Sequence, residues 1–224
     1  MPKLNNPALK TLVAKVMHEK VGIVIPVYNP IANKNLALTQ WCIRQCSDLP
    51  YQLSLGVGPQ CVAANRIKGE ARLADDIRFV IHMDDDVVLP PHFMSQMLSV
   101  LVTQDKVGAV SAVMTGTRGE AQNDISPTTI PVGVVKEIEF LPGTCFVYDR
   151  EKTPIAWDVE YLGSQWEDTD AMMQVKAQGY RTMATGNVQI MHRNNMNAAI
   201  GNWAENRAHF VSKWPGVLRP GSER

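Results

Sequence analysis

Few cysteines, no surplus of either charge and no long apolar run characterise this 224-residue sequence. Its cysteines, Cys42, Cys46, Cys61 and Cys145, fit no CxxC metal pattern. Cys42 and Cys46 stand four apart, as on one helix, and all four read as reduced core thiols of a cytoplasmic protein. Lys+Arg and Asp+Glu number 22 each, so the formal net charge is zero and gives no support to DNA as a partner. No apolar stretch approaches the roughly 18 residues of a membrane-spanning helix. The N-terminus lacks the apolar core of a signal peptide. Repeats, low-complexity tracts and dividing linkers are also missing. What is present is an ordinary globular composition, 45% hydrophobic and 20% charged, in a chain long enough for one large domain with a sizeable core.

The chain is organised around Phe79 to Pro91, FVIHMDDDVVLPP. A short apolar run stops at three consecutive carboxylates, Asp84, Asp85 and Asp86, and Pro90-Pro91 opens a helix. A buried strand that delivers acids to its C-terminal end suits a hard divalent cation such as Mg²⁺ or Mn²⁺, which prefers oxygen ligands. Side chains alternate along a strand, so Asp84 and Asp86 are expected on one side and Asp85 on the other. His82, just upstream, reads as core or as support for the acids.

Around this stretch the pattern alternates strand and helix. Asn6-Pro7 starts an N-terminal helix over residues 1–20 that lies on the domain. Strands are expected at Val21–Pro26, Tyr51–Val57, before the acids, and at Val107–Val113. Helices are expected over Asn33–Ser47, Cys61–Ala74 and Pro91–Gln104. This predicts an α/β fold with a mixed, mainly parallel sheet and helices on both faces, whose ligands lie beyond the carboxyl ends of the strands. Residues 21–115 form one half. The second half, 116–214, opens on a polar loop (Thr115–Asn123) and continues with strands at Val132–Phe140 and Thr144–Tyr148. Trp166-Glu167-Asp168-Thr169-Asp170 leads into a helix over Ala171–Gln178, capped by Asp168 or Thr169. A strand over Thr182–Met191 then ends at His192, and Asn202–Trp214 is helical. Residues 215–224 read as a flexible tail.

IVIPVYNP (Ile23–Pro30), HMDDDVVLPP (His82–Pro91), LPGTCFVYDRE (Leu141–Glu151), WEDTDAMMQVKAQGYR (Trp166–Arg181), His192 and NRAHFVSKW (Asn206–Trp214) occur in this order. Together they resemble the GT-A fold glycosyltransferases, most closely family 2. The resemblance implies a single-domain transferase that moves a sugar from a nucleotide-diphosphate sugar to an acceptor hydroxyl, with inversion. Pro26, Val27, Tyr28 and Asn29 would flank the nucleotide base. Asp84 and Asp85 would lie near the ribose or sugar. Asp86, with Asp84 and His192, would hold Mn²⁺ or Mg²⁺. Asp168, beside Glu167, would be the catalytic base. Gly143 would bring backbone close to a sugar, and Arg66 or Lys68, with Arg72 on the same helix, would meet the diphosphate. Trp166, beside the base, reads either as a ring that stacks on a sugar or as core. Many family members carry an acid that reads uracil at the end of the second strand. Gly56-Val57-Gly58 stands there instead, which leaves the donor base open.

The chemistry is consistent on its own terms. A metal neutralises charge on a leaving diphosphate, and a separate carboxylate takes the acceptor proton. Two alternatives stay open: a nucleotidyltransferase that makes sugar nucleotides, and a non-catalytic nucleotide-sugar-binding module. The acceptor is expected to be a saccharide or another hydroxyl-bearing molecule, soluble or brought by a partner. His18, His92 and His209 read as structural or exposed. The polar run Arg193–Asn197 reads as a lid over a bound donor.

Overall fold

The structure is a computed structural model that describes residues 14, 16, 18–31, 33–59, 61–114, 130–139, 141–193 and 202–217. Among the described residues eight strands form one sheet: β1 (Val21–Val27), β2 (Tyr51–Val57), β3 (Phe79–Met83), β4 (Val87–Val88), β5 (Val107–Met114), β6 (Val135–Glu137), β7 (Cys145–Asp149) and β8 (Arg181–His192). Their order is β2-β1-β3-β7-β5-β8-β4, with β6 also paired to β8. Strands β1, β2, β3, β5 and β8 run one way; β4, β6 and β7 run against them. The mixed, mainly parallel sheet is therefore present. The insertion of antiparallel β7 between β3 and β5 was not part of the expectation.

Among the described residues there are five helices, the first four on the faces of the sheet: α1 (Lys34–Cys46), α2 (Val62–Glu70), α3 (Phe93–Thr103), α4 (Glu167–Ala177) and α5 (Trp203–Lys213). Alternation along the strands assigns them. Ile23, Ile25, Phe79, Ile81 and Val147 pack with Ile43 of α1 and with Phe93 and Met97 of α3. Val24, Val80, Phe146 and Tyr148 pack with Ala63 of α2 and with Met172 and Val175 of α4. The central strands are apolar on both sides because both sides are covered.

Most element boundaries agree with the sequence reading to within a few residues. Asn33 caps α1 through its side chain, accepting from the N–H groups of Asn35 and Leu36. Three expectations need correction. The helix expected over Ala171–Gln178 begins at Glu167, so the acids form its first turn, and Trp166 rather than Asp168 or Thr169 is its N-cap. The expected strand Val132–Phe140 is paired only over Val135–Glu137. Val87–Val88, read as the approach to a helix, forms β4 against His192 and Met191. The N-terminal helix lies outside the described residues except for Ala14 and Val16, both helical, with Val16 buried. The loop expected over Thr115–Asn123 lies outside them too, as does most of the expected lid and of the tail. Among the described residues no helix is long and apolar enough to cross a membrane.

Candidate active site

β3 ends in the acid triplet, and β4 turns the chain back along β8. The register Val87↔His192 places the last residue of β8 beside the acids. His192 Nε2 lies 3.0 Å from Asp86 Oδ1 and 3.5 Å from Asp84 Oδ2. One ligand atom from each of Asp84, Asp86 and His192 falls within 4.8 Å of the others. Asp85, in the turn that follows β3, has a different partner and accepts a hydrogen bond from Asn33 Nδ2 at 2.5 Å. The Arg193 N–H donates to the Asp86 carbonyl at 3.0 Å, which fixes the turn of β8 against the triplet.

Burial makes this cluster costly to charge. It pushes the Asp84 carboxyl up, against the pull of His192 and Arg66. Burial and the charges of Asp84 and Asp86 push Asp85 up to about 7. Burial alone would lower His192, but its hydrogen bond to Asp86 and the nearby carboxylates outweigh that and raise it. Two carboxylates and an imidazole at this spacing fit a hard divalent cation, whose ligands must be deprotonated and which therefore displaces protons on binding.

The second acid pair arrives from α4. The Asp168 Oδ2 accepts from the Gly143 N–H at 2.6 Å, and its Oδ1 accepts from the Thr169 N–H at 2.7 Å. Glu167 is buried, and both burial and the Asp168 charge hold its carboxyl well above the usual range. Arg66 joins the two acid groups. Its side chain, 1% exposed, puts Nη2 3.9 Å from Asp84 Oδ1, 3.8 Å from Glu167 Oε1 and 3.2 Å from the Gly143 carbonyl, to which it donates. The guanidinium lies over Trp157 at 4.9 Å and Phe146 at 5.8 Å. Behind them, Glu70 accepts from Trp157 Nε1 at 2.6 Å and meets the buried His82 at 2.7 Å. Asp84, Asp86, His192, Arg66, Gly143, Glu167 and Asp168 thus meet at the carboxyl ends of β3 and β8.

Lys68 and Arg72 do not share Arg66's place. Lys68 is half-buried, roughly 200° around the helix from Arg66, and Arg72 donates to the Leu55 carbonyl of β2. Pro26 and Val27 are buried in β1, while Tyr28 is 57% exposed, and Asn29 closes the turn by accepting from the Ile31 N–H. Trp166 packs against Trp203 and Phe210, with ring centres 5.7 and 5.0 Å away. Gly56 has no room for a side chain: an added Cβ would lie 1.6 Å from the Asn65 carbonyl oxygen. Asp158, Glu160 and His209 form another cluster, but Asp158 already pairs with Lys213 at 2.8 Å. Two residues were given no role by the sequence reading, although Asn206 opens one of its motifs. Asn65 donates to the Gly58 carbonyl and Asn206 binds the loop before α4. A polar residue on an amphipathic helix gives no sequence signal of burial.

Comparison with solved structures places the fold. GalNAc-T7, solved with UDP, GalNAc and Mn²⁺, superposes with a TM-score of 0.51 at 8% identity, over 90% of this chain and 51% of its own. S. aureus TarS 1–349 in complex with UDP-GlcNAc superposes with a TM-score of 0.55 at 14% identity, over 81% of this chain and 61% of its own. The chain has the GT-A fold. A197 from STIV superposes on this GT-A domain with a TM-score of 0.50 at 14% identity, over 79% of this chain and 86% of its own. The domain spans only about half to three fifths of the two transferase structures. No family model and no curated protein sequence matches it.

Proposed function

We propose that this chain is a metal-dependent, inverting glycosyltransferase that transfers a sugar from a nucleotide-diphosphate sugar to a hydroxyl acceptor. The observation that carries this reading is the convergence of two acid groups from distant parts of the chain. Asp84, Asp86 and His192 cluster on one side, and Asp168 is held on the other by the Gly143 peptide. Two structural neighbours were solved with UDP or UDP-GlcNAc. Asp86, Asp84 and His192 would hold Mn²⁺ or Mg²⁺, which when bound would offset the charge of the diphosphate.

Asp168 serves as general base for the acceptor hydroxyl. Its two oxygens accept backbone N–H bonds, which keep it oriented. Glu167 stays behind it, shielded from water. Tyr28 offers an exposed ring to the nucleotide base next to Pro26, Val27 and Asn29. Asp85, bonded to Asn33, Lys68, on another side of α2, and Trp166, packed on Trp203 and Phe210, are given no direct contact with the donor. Arg66 is enclosed by aromatic rings and acts on the donor through Asp84 and Gly143. The acceptor is a saccharide or another hydroxyl-bearing molecule, and the compartment is the cytoplasm.

The test is a panel of UDP-, GDP- and dTDP-sugars with Mn²⁺, followed by release of nucleoside diphosphate. Asp86→Ala is expected to abolish turnover and metal binding. Asp168→Asn is expected to abolish turnover while leaving nucleotide binding intact. A wild-type protein that binds and hydrolyses none of the panel, with Asp86→Ala changing nothing, refutes the reading. Pyrophosphate release from a nucleoside triphosphate would move it to the nucleotidyltransferases.

A further inference from the structure

Two consecutive non-glycine residues directly before α4 have left-handed backbone: Gln165 at φ 87° and Trp166 at φ 72°. Side chains disfavour this region, and such positions persist only where their surroundings enforce them. The enforcing group is on α5. Asn206 is 1% exposed, and its amide is used on both sides. Oδ1 accepts from the Leu162 N–H at 2.8 Å. The two N–H groups of Nδ2 are shared among three carbonyls, those of Leu162 (2.9 Å), Ser164 (3.2 Å) and Gln165 (3.1 Å). One side chain therefore holds the loop 162–165 in place up to the strained turn.

The turn sets the direction of α4. The Trp166 carbonyl accepts the Asp170 N–H at 2.9 Å, the first bond of the helix, so its orientation aims the turn that carries Glu167 and Asp168. α5 is itself fastened to α4. Trp214 Nε1 donates to Asp170 Oδ1 at 2.6 Å, Lys213 pairs with Asp170 Oδ2 at 3.0 Å, and Phe210 packs on Trp166. Asp168 then meets the Gly143 N–H at the far side.

We propose that Asn206 is a positioning residue for Asp168: its amide holds the left-handed Gln165–Trp166 turn that aims the base at the reacting hydroxyl. This rests on the transferase reading for its catalytic part. A role confined to holding α5 on the domain would give a different result in the experiment below.

The experiment compares wild type, Asn206→Ala and Asn206→Ala/Gln165→Gly, with UDP-GlcNAc, UDP-glucose and GDP-mannose as donors and Mn²⁺ as metal. Misplacing a catalytic group by about 1 Å can cost on the order of 10²-fold. Asn206→Ala is thus expected to lower kcat about 10²-fold with donor KM within about threefold. Glycine takes a positive φ without strain, so Gln165→Gly should restore about tenfold of the lost kcat in the double variant. The proposal is overturned if Asn206→Ala keeps kcat within about threefold of wild type. It is equally overturned if activity falls only in step with the folded fraction and Gln165→Gly recovers none of it. If wild type turns over no donor, the transferase reading falls separately, and native hydrogen exchange decides the positioning role. Exchange about tenfold faster at the Leu162 and Asp170 amides in Asn206→Ala, with β1 and β3 unchanged, supports it. Unchanged exchange at Asp170 refutes it.

Discussion

One methyl group at Gly143 tests the geometry of the site more sharply than removal of any acid. A Cβ added there would lie 2.9 Å from Arg66 Nη2, 2.9 Å from Asp168 Cβ and 2.9 Å from Asp168 Oδ2. Optimal non-bonded contacts are about 3.5–4.0 Å, so all three are short by roughly half an ångström or more. Neither neighbour has an easy retreat. Asp168 Cβ moves only with the backbone of α4, and the Arg66 guanidinium lies over Trp157 and Phe146. The backbone at Gly143 is not left-handed, so the cost of Gly143→Ala is steric alone. Overpacking of this kind costs about 1–3 kcal/mol. The least costly relief is a shift of the Gly143 turn away from α4, which lengthens the 2.6 Å bond from the Gly143 N–H to Asp168. Displacing the base by a large fraction of an ångström should lower kcat by on the order of 10–10²-fold. The Asp84–Asp86–His192 group is set by β3, β4 and β8 and should keep its affinity for Mn²⁺ and nucleotide. Urea denaturation, steady-state kinetics and calorimetric titration of UDP with Mn²⁺ measure the three quantities. A variant as stable and as active as wild type would refute the reasoning. So would one that loses nucleotide affinity while kcat holds.

Arg66→Met leaves Glu167 and Asp84 without their buried countercharge, a change that typically costs about 3–5 kcal/mol. For a domain of this size each kcal/mol lowers the melting temperature by about 2–4 °C. The loss should be smaller at pH 5 than at pH 8. Burial, then the Asp168 charge, raises the folded-state affinity of Glu167 for its proton. Neutral Glu167 therefore favours the fold at low pH, and that contribution fades as pH rises through its folded pKa. Equal losses at both pH values would contradict the assignment. Burial pushes the Cys145 thiol, inside β7, up to about 12. Iodoacetamide at pH 8 should label it only after unfolding in urea, as read by mass spectrometry, and labelling of the native protein would place β7 wrongly.

The sequence exposed the parts of this fold that depend on local pattern. Apolar runs such as Val21–Val27 and Phe79–Met83 are long enough and sharply enough bounded to read as buried strands. Asn33 announces its helix because a cap is a local hydrogen bond. The antiparallel direction of β7 was not readable, since a short apolar strand buried on both faces looks the same in either direction. The two-residue β4 is below the length at which periodicity exists. The start of α4 was misread because Glu167, Asp168 and Asp170 look like residues before a helix, whereas here they occupy its first turn, where the helix dipole favours them. Among Arg66, Lys68 and Arg72, composition could not choose. Only the packing of α2 against β1 and β2 turns the first inward, and an arginine is rarely fully buried.

That anomaly explains how the site is built. Gly56 of β2 lets the backbone of α2 approach so closely that a Cβ would meet the Asn65 carbonyl at 1.6 Å. The close approach puts the adjacent Asn65 and Arg66 inside the protein. Asn65 donates to the carbonyls of Val27 and Gly58, at the tips of β1 and β2. Arg66 reaches the Gly143 turn, Asp84 and Glu167. A helix that only packed would carry apolar residues at both positions, and burying this polar pair is costly without partners. The partners the pair finds, Val27, Gly58, Gly143, Asp84 and Glu167, lie at the carboxyl edge of the sheet. The same glycine that removes a side chain from the end of β2, where the resemblance expected an acid to read the donor base, is therefore what allows α2 to bring a cation between the two acid groups. If that is its role, Gly56→Ala should push α2 outward and weaken the Arg66 contacts to Asp84 and Glu167 together, rather than alter donor choice alone.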